Sequence, residues 1–283
     1  MVLPKFYVDD IIKTALKEDI NYIDTTTDLM IPEESWSAAT FIAKAEGVLC
    51  GIEVAIRVFT LLDDSVKFTL YKKDGDRISF GDKIADIEGP TRELLKGERT
   101  ALNLLQHMSG IATKTNQCVQ IVKGTRAAIT DTRKTMPGLR ALQKYAVTVG
   151  GGKNHRFNLS DGAMLKDNHI DAAGGITAAV KAIRSRLGHM VRLEVETRNL
   201  DEVREAIEAG ADIIMLDNMN CEQMKEAVQL ANGRALMEAS GGITEENLRE
   251  VAETGVDIIS LGALTHSVKA LDISMKIISK ISK

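Results

Sequence analysis

Ala209-Gly210-Ala211-Asp212-Ile213-Ile214-Met215-Leu216-Asp217-Asn218 is the stretch on which the fold turns. A helical pattern ends at its glycine, a short continuous apolar run follows, and two polar residues close it. Such a run, too short for a helix, reads as a strand buried on both faces. The plan recurs in Thr254-Gly255-Val256-Asp257-Ile258-Ile259, and each copy is preceded by an Asn-Leu pair, Asn199-Leu200 and Asn247-Leu248. One strand-and-helix unit therefore appears twice.

Similar runs extend in both directions: Ala127 to Thr130, Gly162 to Leu165, Val191 to Val195, Ala235 to Glu238 and Asp257 to Leu261. Buried parallel strands joined by crossover helices have this appearance. Six strands are few for an eight-stranded barrel, so the reading is an α/β fold with an incomplete TIM-like barrel; a doubly wound open sheet is the alternative. Residues 1–108 have another style. Val8, Ile11, Ile12, Ala15 and Leu16 form a helical stripe, Glu53 to Leu62 a second helix, and Val66, Phe68 and Leu70 alternate with polar residues as a strand does. Lys83 to Ile87 reads as a return strand and Thr91 to Met108 as a helix. The expected organisation is an N-terminal α/β sandwich over 1–108 and a barrel over 109–267. A C-terminal helix over 268–283 is expected to pack back on the sandwich.

The chain has 283 residues, with 36 basic and 40 acidic side chains and a net charge of −4. That balance argues against nucleic acid or an anionic membrane as a partner. No run is long and apolar enough to span a bilayer and the N-terminus lacks a signal peptide's apolar segment, so a cytoplasmic protein is expected. Cys50, Cys118 and Cys221 are far apart and form no metal-binding pair, and they read as buried thiols. The charge is uneven. Between Lys123 and His169, nine Lys or Arg stand against three Asp, which makes the segment +6 and the remainder −10. A basic island in an acidic chain suits small polyanions, although a solvated basic face has the same composition.

The apolar runs end in chemistry: Thr132-Arg133-Lys134, Lys166-Asp167-Asn168, Glu194-Val195-Glu196, Asp217-Asn218, Ser240-Gly241-Gly242 and Gly262-Ala263. In a parallel barrel these ends converge on one mouth, where active sites are built. Period-two alternation turns Val191, Leu193 and Val195 outward and places Arg192, Glu194 and Glu196 on the inner face. A buried charge layer balanced by Arg192 is the inert alternative. Ser240-Gly241-Gly242 and Gly262, on the last two strands, suit a phosphate, with a following helix N-terminus adding its dipole. Gly150-Gly151-Gly152 is not a dinucleotide fingerprint and follows no strand, so it reads as a lid near the basic island.

Several motifs, in order along nearly the whole chain, resemble those of the quinolinate phosphoribosyltransferase family. They are Glu98-Arg99-Thr100-Ala101-Leu102-Asn103, Asp131-Thr132-Arg133-Lys134-Thr135-Met136-Pro137-Gly138-Leu139-Arg140 and Gly151-Gly152-Lys153-Asn154-His155-Arg156. Leu165-Lys166-Asp167-Asn168-His169, Glu194-Val195-Glu196, Leu216-Asp217-Asn218, Ser240-Gly241-Gly242 and Gly262-Ala263-Leu264-Thr265-His266 complete the set. Met136, Lys153 and Ala239 depart from the residues most frequent there, and none removes a charge.

The resemblance implies transfer of ribose 5-phosphate from phosphoribosyl pyrophosphate (PRPP) to quinolinate with decarboxylation, giving nicotinate mononucleotide for NAD synthesis. It implies a homodimer whose site borrows Arg99 from the partner subunit. Arg99, Arg133, His155, Arg156 and Lys166 would hold quinolinate, and Lys134 the diphosphate. Glu196 and Asp217, beside Asn218, would hold Mg²⁺ and the ribose hydroxyls, while Ser240, Gly241 and Gly262 would cradle the 5-phosphate. Glu196, Asp217 and Lys166 would act in catalysis, with Lys166 as proton donor; no further cofactor is expected. The molybdenum-associated ModD-like proteins share the fold and are the runner-up. A phosphosugar aldolase or isomerase barrel would share the phosphate site but not need the clustered arginines.

Overall fold

The computed structural model describes residues 2–281, with side chains through residue 278. In chain order its elements begin α1 (Lys5–Ile20), α2 (Thr25–Met30), β1 (Trp36–Ala43), β2 (Gly47–Val48) and α3 (Ile52–Leu62). Next come β3 (Lys67–Leu70), β4 (Arg77–Ile78), β5 (Lys83–Pro90), α4 (Thr91–Ile121), β6 (Ala128–Thr130) and α5 (Arg140–Val149). Then follow β7 (Ala163–Leu165), α6 (Asp167–Ala173), α7 (Ile176–Arg184), β8 (Leu193–Thr197), α8 (Leu200–Ala209) and β9 (Ile213–Asp217). The chain closes with α9 (Cys221–Ala231), β10 (Leu236–Ser240), α10 (Leu248–Ala252), β11 (Ile258–Ser260), α11 (Ala263–His266) and β12 (Ile273–Ile281). No helix among the described residues is long and apolar enough to cross a membrane.

Two compact units divide the chain. The first comprises residues up to 116, residues 135–151 and those from 264 onward; the second comprises 117–134 and 152–263. The expected boundary at residue 108 falls inside the continuous helix α4, and residues 135–151 group with the first unit rather than the barrel. Packing explains this. A Cβ on Gly150 would meet Ala112 O at 2.5 Å, and Gln143 Nε2 bonds His107 Nε2 at 2.8 Å. The close approach at Gly150 makes the triglycine the packed end of α5, not a lid.

The first unit is built on an antiparallel sheet in the order β12-β1-β5-β3. Phe41 and Phe59 meet edge to face in its core, their centroids 6.1 Å apart. Arg57 on α3 grips Asp9 on α1 with two bonds of 2.7 and 2.8 Å. The expected C-terminal helix is instead β12, antiparallel to β1; residues 282 and 283 lie outside the described residues. Ile273 and Met275 are buried, Ser274 between them is less so and Lys276 is exposed, the period-two pattern of a strand with one face on the core. Cys50 and Cys118 are buried as expected, but Cys221, at the start of α9, is only half-buried.

The second unit holds a six-stranded parallel sheet in the order β6-β11-β10-β9-β8-β7. Each strand from β7 to β10 pairs with its successor and β6 then joins β11, which is the cyclic order of a barrel with one seam open between β6 and β7. A doubly wound sheet would reverse direction at a switch point, and this one does not. The duplicated sequence unit explains the regularity. Asp212 and Asp257, at matching places, each accept a backbone N–H from the neighbouring strand, Leu193 at 2.7 Å and Met237 at 2.9 Å. Each is also paired with an arginine, Arg184 and Arg126 respectively.

Candidate active site

The C-terminal ends of all six parallel strands surround one cavity of about 670 Å³ within the second unit. Ten of the twelve expected site residues line it: Arg133, Lys134, His155, Arg156, Lys166, Glu196, Asp217, Asn218, Ser240 and Gly241. Arg99 and Gly262 do not. Arg99 is exposed on α4 in the first unit, and Gly262 is half-buried just past β11.

The basic wall depends on Asp131, which is fully buried at the end of β6. Its Oδ1 accepts the His155 N–H at 2.9 Å and its Oδ2 accepts from Asn154 Nδ2 at 2.6 Å. Thr130 pairs with Lys153 in a parallel bridge, so residues 153–156 run along the free edge of β6, in the barrel's seam. Two cationic segments, Arg133-Lys134 and His155-Arg156, are thereby held side by side. Burial, and then the like charge of Arg133, push the Arg156 guanidinium below its ordinary value. Arg156 also donates to Gly162 O at 2.9 Å, which fixes its direction. Two neighbouring guanidinium groups make a receptor for a dianion.

Under this wall lies His155, whose Nε2 is 3.1 Å from Glu194 Oε2 and 3.4 Å from Glu238 Oε1. Its Nδ1 accepts the Arg156 N–H at 2.8 Å. Both ring nitrogens are thus engaged inside the protein, and Nε2–H is the one directed at the carboxylates. Burial alone would lower the ring's pKa, but Glu194 and Glu238 override it and hold His155 up at about 10. Burial raises Glu194, against the opposing pull of His155. The cluster therefore keeps a proton between the ring and the two acids. Arg192 does not balance a buried layer here, because it lies before β8 and is exposed.

Glu196 and Asp217 stand at the ends of the neighbouring strands β8 and β9, where Glu196 is opposite Met215. Lys166, after β7, reaches Glu196 Oε2 at 2.5 Å. Asp217 Oδ2 accepts from Asn218 Nδ2 at 2.8 Å. These two carboxylates offer hard oxygen donors beside open space, a setting suited to Mg²⁺ shared with substrate oxygens. His155, Glu194 and Glu238 also bring ligand atoms within 4.8 Å of one another, but there the imidazole Nε2 is itself turned toward the two carboxylates.

Opposite the basic wall, Gly241 and Gly242 have φ of +86° and +61°. A Cβ on Gly241 would lie 2.3 Å from Asn218 Oδ1, so only glycine fits between β9 and β10. The expected helix N-terminus is not at hand: Thr244 to Asn247 form a turn closed by Asn247, and α10 begins only at Leu248. Exposed backbone and small side chains are what this wall presents to an anion.

Two residues escaped the sequence reading. Asp131 was seen only as part of a motif, and Glu238 as the end of an apolar run. A carboxylate inside such a run was the available signal, since buried charge persists only with a partner.

Comparison with known proteins bears on the whole chain. Residues 24–109 match the family model described as quinolinate phosphoribosyl transferase, N-terminal domain, and residues 111–276 match its C-terminal domain. A probable nicotinate-nucleotide pyrophosphorylase (carboxylating) of Bacillus subtilis is 50% identical over 260 residues, which cover 92% of this chain and 90% of that protein. The chloroplastic nicotinate-nucleotide pyrophosphorylase of Arabidopsis thaliana is 43% identical, over 97% of this chain and 84% of its own. Among solved structures, NadC from Streptococcus pyogenes superimposes with a TM-score of 0.96 at 45% identity, covering 100% of both chains. The nicotinate-nucleotide pyrophosphorylase of Francisella tularensis gives 0.92 at 40%, covering 98% of both.

Proposed function

The chain belongs to the quinolinate phosphoribosyltransferase family, and from that premise we propose that it transfers ribose 5-phosphate from PRPP to quinolinate with loss of carbon dioxide. The product is nicotinate mononucleotide, a precursor of NAD. The observation that carries this reading is the paired guanidinium wall of Arg133 and Arg156 facing the small-residue wall of Ser240 and Gly241 across one cavity. Adjacent carboxylates on a flat ring match the first, and a phosphate matches the second.

Arg133, Arg156 and Lys166 hold the two carboxylates in this account, with Arg99 of the partner subunit. His155, expected as a further ligand, has both ring nitrogens engaged within the protein and supports Arg156 instead. Lys134 meets the diphosphate, while Ser240, Gly241 and Gly262 cradle the 5-phosphate. Glu196 and Asp217 face the anomeric carbon. When the bond from that carbon to the diphosphate oxygen breaks, their negative charge stabilises the positive charge left on the ribose. The pyridine nitrogen then uses its lone pair to form the new bond. The ring becomes a pyridinium, so the 2-carboxylate leaves as carbon dioxide and its bonding electrons stay on the ring carbon. A proton completes the product, and Lys166 is assigned as donor because its ammonium is held at the mouth by Glu196.

Glu196 and Asp217 would hold Mg²⁺, directly or through water, together with substrate oxygens. An ion held there would supply positive charge to balance that of the departing diphosphate. Arg99 is exposed and outside the cavity wall, which fits a role in a neighbouring copy's site; a homodimer in which Arg99 of the partner subunit completes the pocket is part of this proposal. So is a cytoplasmic location. Incubating the protein with quinolinate, PRPP and Mg²⁺ tests the reading. Nicotinate mononucleotide and carbon dioxide should appear in equal amounts, and their absence would overturn it.

A further inference from the structure

The buried acids Glu194 and Glu238 have no place in the steps above. They stand on β8 and β10, on either side of β9, and only 4% and 1% of their surfaces are exposed. Glu194 Oε1 is buried without a hydrogen-bond partner. Two such acids are expensive to bury, and an apolar pair would serve the sheet at least as well. Stability therefore does not account for them. What faces them is the His155 ring and, through space, the Arg156 guanidinium.

The contacts form a directed chain. Both carboxylates draw on Nε2 of His155, Nδ1 of the same ring accepts the Arg156 N–H, and Arg156 stands in the cavity wall. Asp131 fixes the backbone of the same segment at the His155 N–H. The ring is thus gripped from below while its other edge fixes the peptide from which the arginine projects. We propose that Glu194 and Glu238 are positioning residues for the dicarboxylate pocket, acting through His155 to set Arg156 against the substrate. Neither touches a reacting atom. This inference rests on the reading of Arg156 as a carboxylate ligand.

A lever of this kind has a selective signature: the ends of β8 and β10 also carry Glu196 and the wall of Ser240 and Gly241, but the side chains of Glu194 and Glu238 bear on His155 in the barrel's seam. In E194Q/E238Q the KM for quinolinate should rise about tenfold or more, as misplacing a binding group by a fraction of an ångström does. The KM for PRPP should stay within about twofold of wild type. Adding H155Q to that double variant should cost little more, since the ring is the link through which the acids act. The single variants E194Q and E238Q, measured well below their melting temperatures, give the same comparison should the double variant not fold. Unchanged KM for quinolinate, equal rises in both KM values, or a full additive loss from H155Q would each overturn the inference. Wild-type protein that fails to convert quinolinate would overturn the parent reading instead, and this one with it.

Discussion

Lys166 Nζ lies 2.5 Å from Glu196 Oε2, which ties the end of β7 to the end of β8 across the mouth of the cavity. Lys166 is 47% exposed, and an ion pair that open adds at most about 1 kcal/mol to folding. On the proposed reading, its value lies in the charge it arranges at the cavity mouth.

Glu196→Gln should therefore lower turnover by roughly 10²-fold or more, the usual cost of one preorganised electrostatic group. Asp217→Asn should behave in the same way. Melting temperatures should stay near wild type. Near-normal turnover in both variants would remove these carboxylates from the chemistry.

Gly241→Ala probes the opposite wall. Its φ of +86° and the 2.3 Å approach to Asn218 leave no room for a methyl group, so the loop must shift. Strain of this sort costs on the order of 1–3 kcal/mol. Denaturant titration should show that loss, and the KM for PRPP should rise more than that for quinolinate. An alanine variant with wild-type stability and kinetics would mean that the loop is not a phosphate cradle.

How much of this was legible in the sequence depends on how local each signal is. The six buried runs and the polar residues ending them carry their meaning in a few adjacent positions, and all six became strands around one cavity. The strand at Ile273–Ile281 was read as a helix because its partner, β1, is more than two hundred residues away in the chain. Glu238 was passed over for a similar reason: its partner His155 comes from the barrel's seam, and no spacing rule connects the two. Arg99 was named by family likeness and Gly262 by its place after the last strand, and they are the two expected residues that do not line the cavity.

The His155 cluster also sets a pH dependence. The folded-state pKa, about 10, stands above the ordinary value of 6.5, so the cluster in which the ring and the two acids retain a shared proton favours the folded state. The contribution is fully present below pH 6.5, declines as pH rises above it, and is gone once pH passes about 10. Urea midpoints for wild type and His155→Asn, compared from pH 6 to 10.5, should converge as the solution becomes alkaline. A gap that stays constant over that range would contradict the retained proton.

Shared sites can be tested by mixing defects. Arg99→Ala and Arg133→Ala should each be nearly inactive alone. After subunit exchange, some mixed dimers would contain one site with both arginines intact, and activity should return in part. No recovery after verified exchange would rule out a site completed by Arg99 of the partner subunit.

Substrate choice tests the paired-guanidinium pocket most directly. Nicotinate has one carboxylate and would leave a desolvated guanidinium without its partner, a loss of about 3–5 kcal/mol. That corresponds to roughly 10²- to 10³-fold in kcat/KM. Phthalate keeps both carboxylates but lacks the ring nitrogen, so it should occupy the pocket without reacting. The measurement is steady-state kcat/KM for quinolinate and nicotinate at saturating PRPP and Mg²⁺, with phthalate as inhibitor. The account predicts efficient use of quinolinate, nicotinate at or below about one part in a hundred of it, and competitive inhibition by phthalate. Nicotinate used as well as quinolinate, or no inhibition by phthalate, would contradict it.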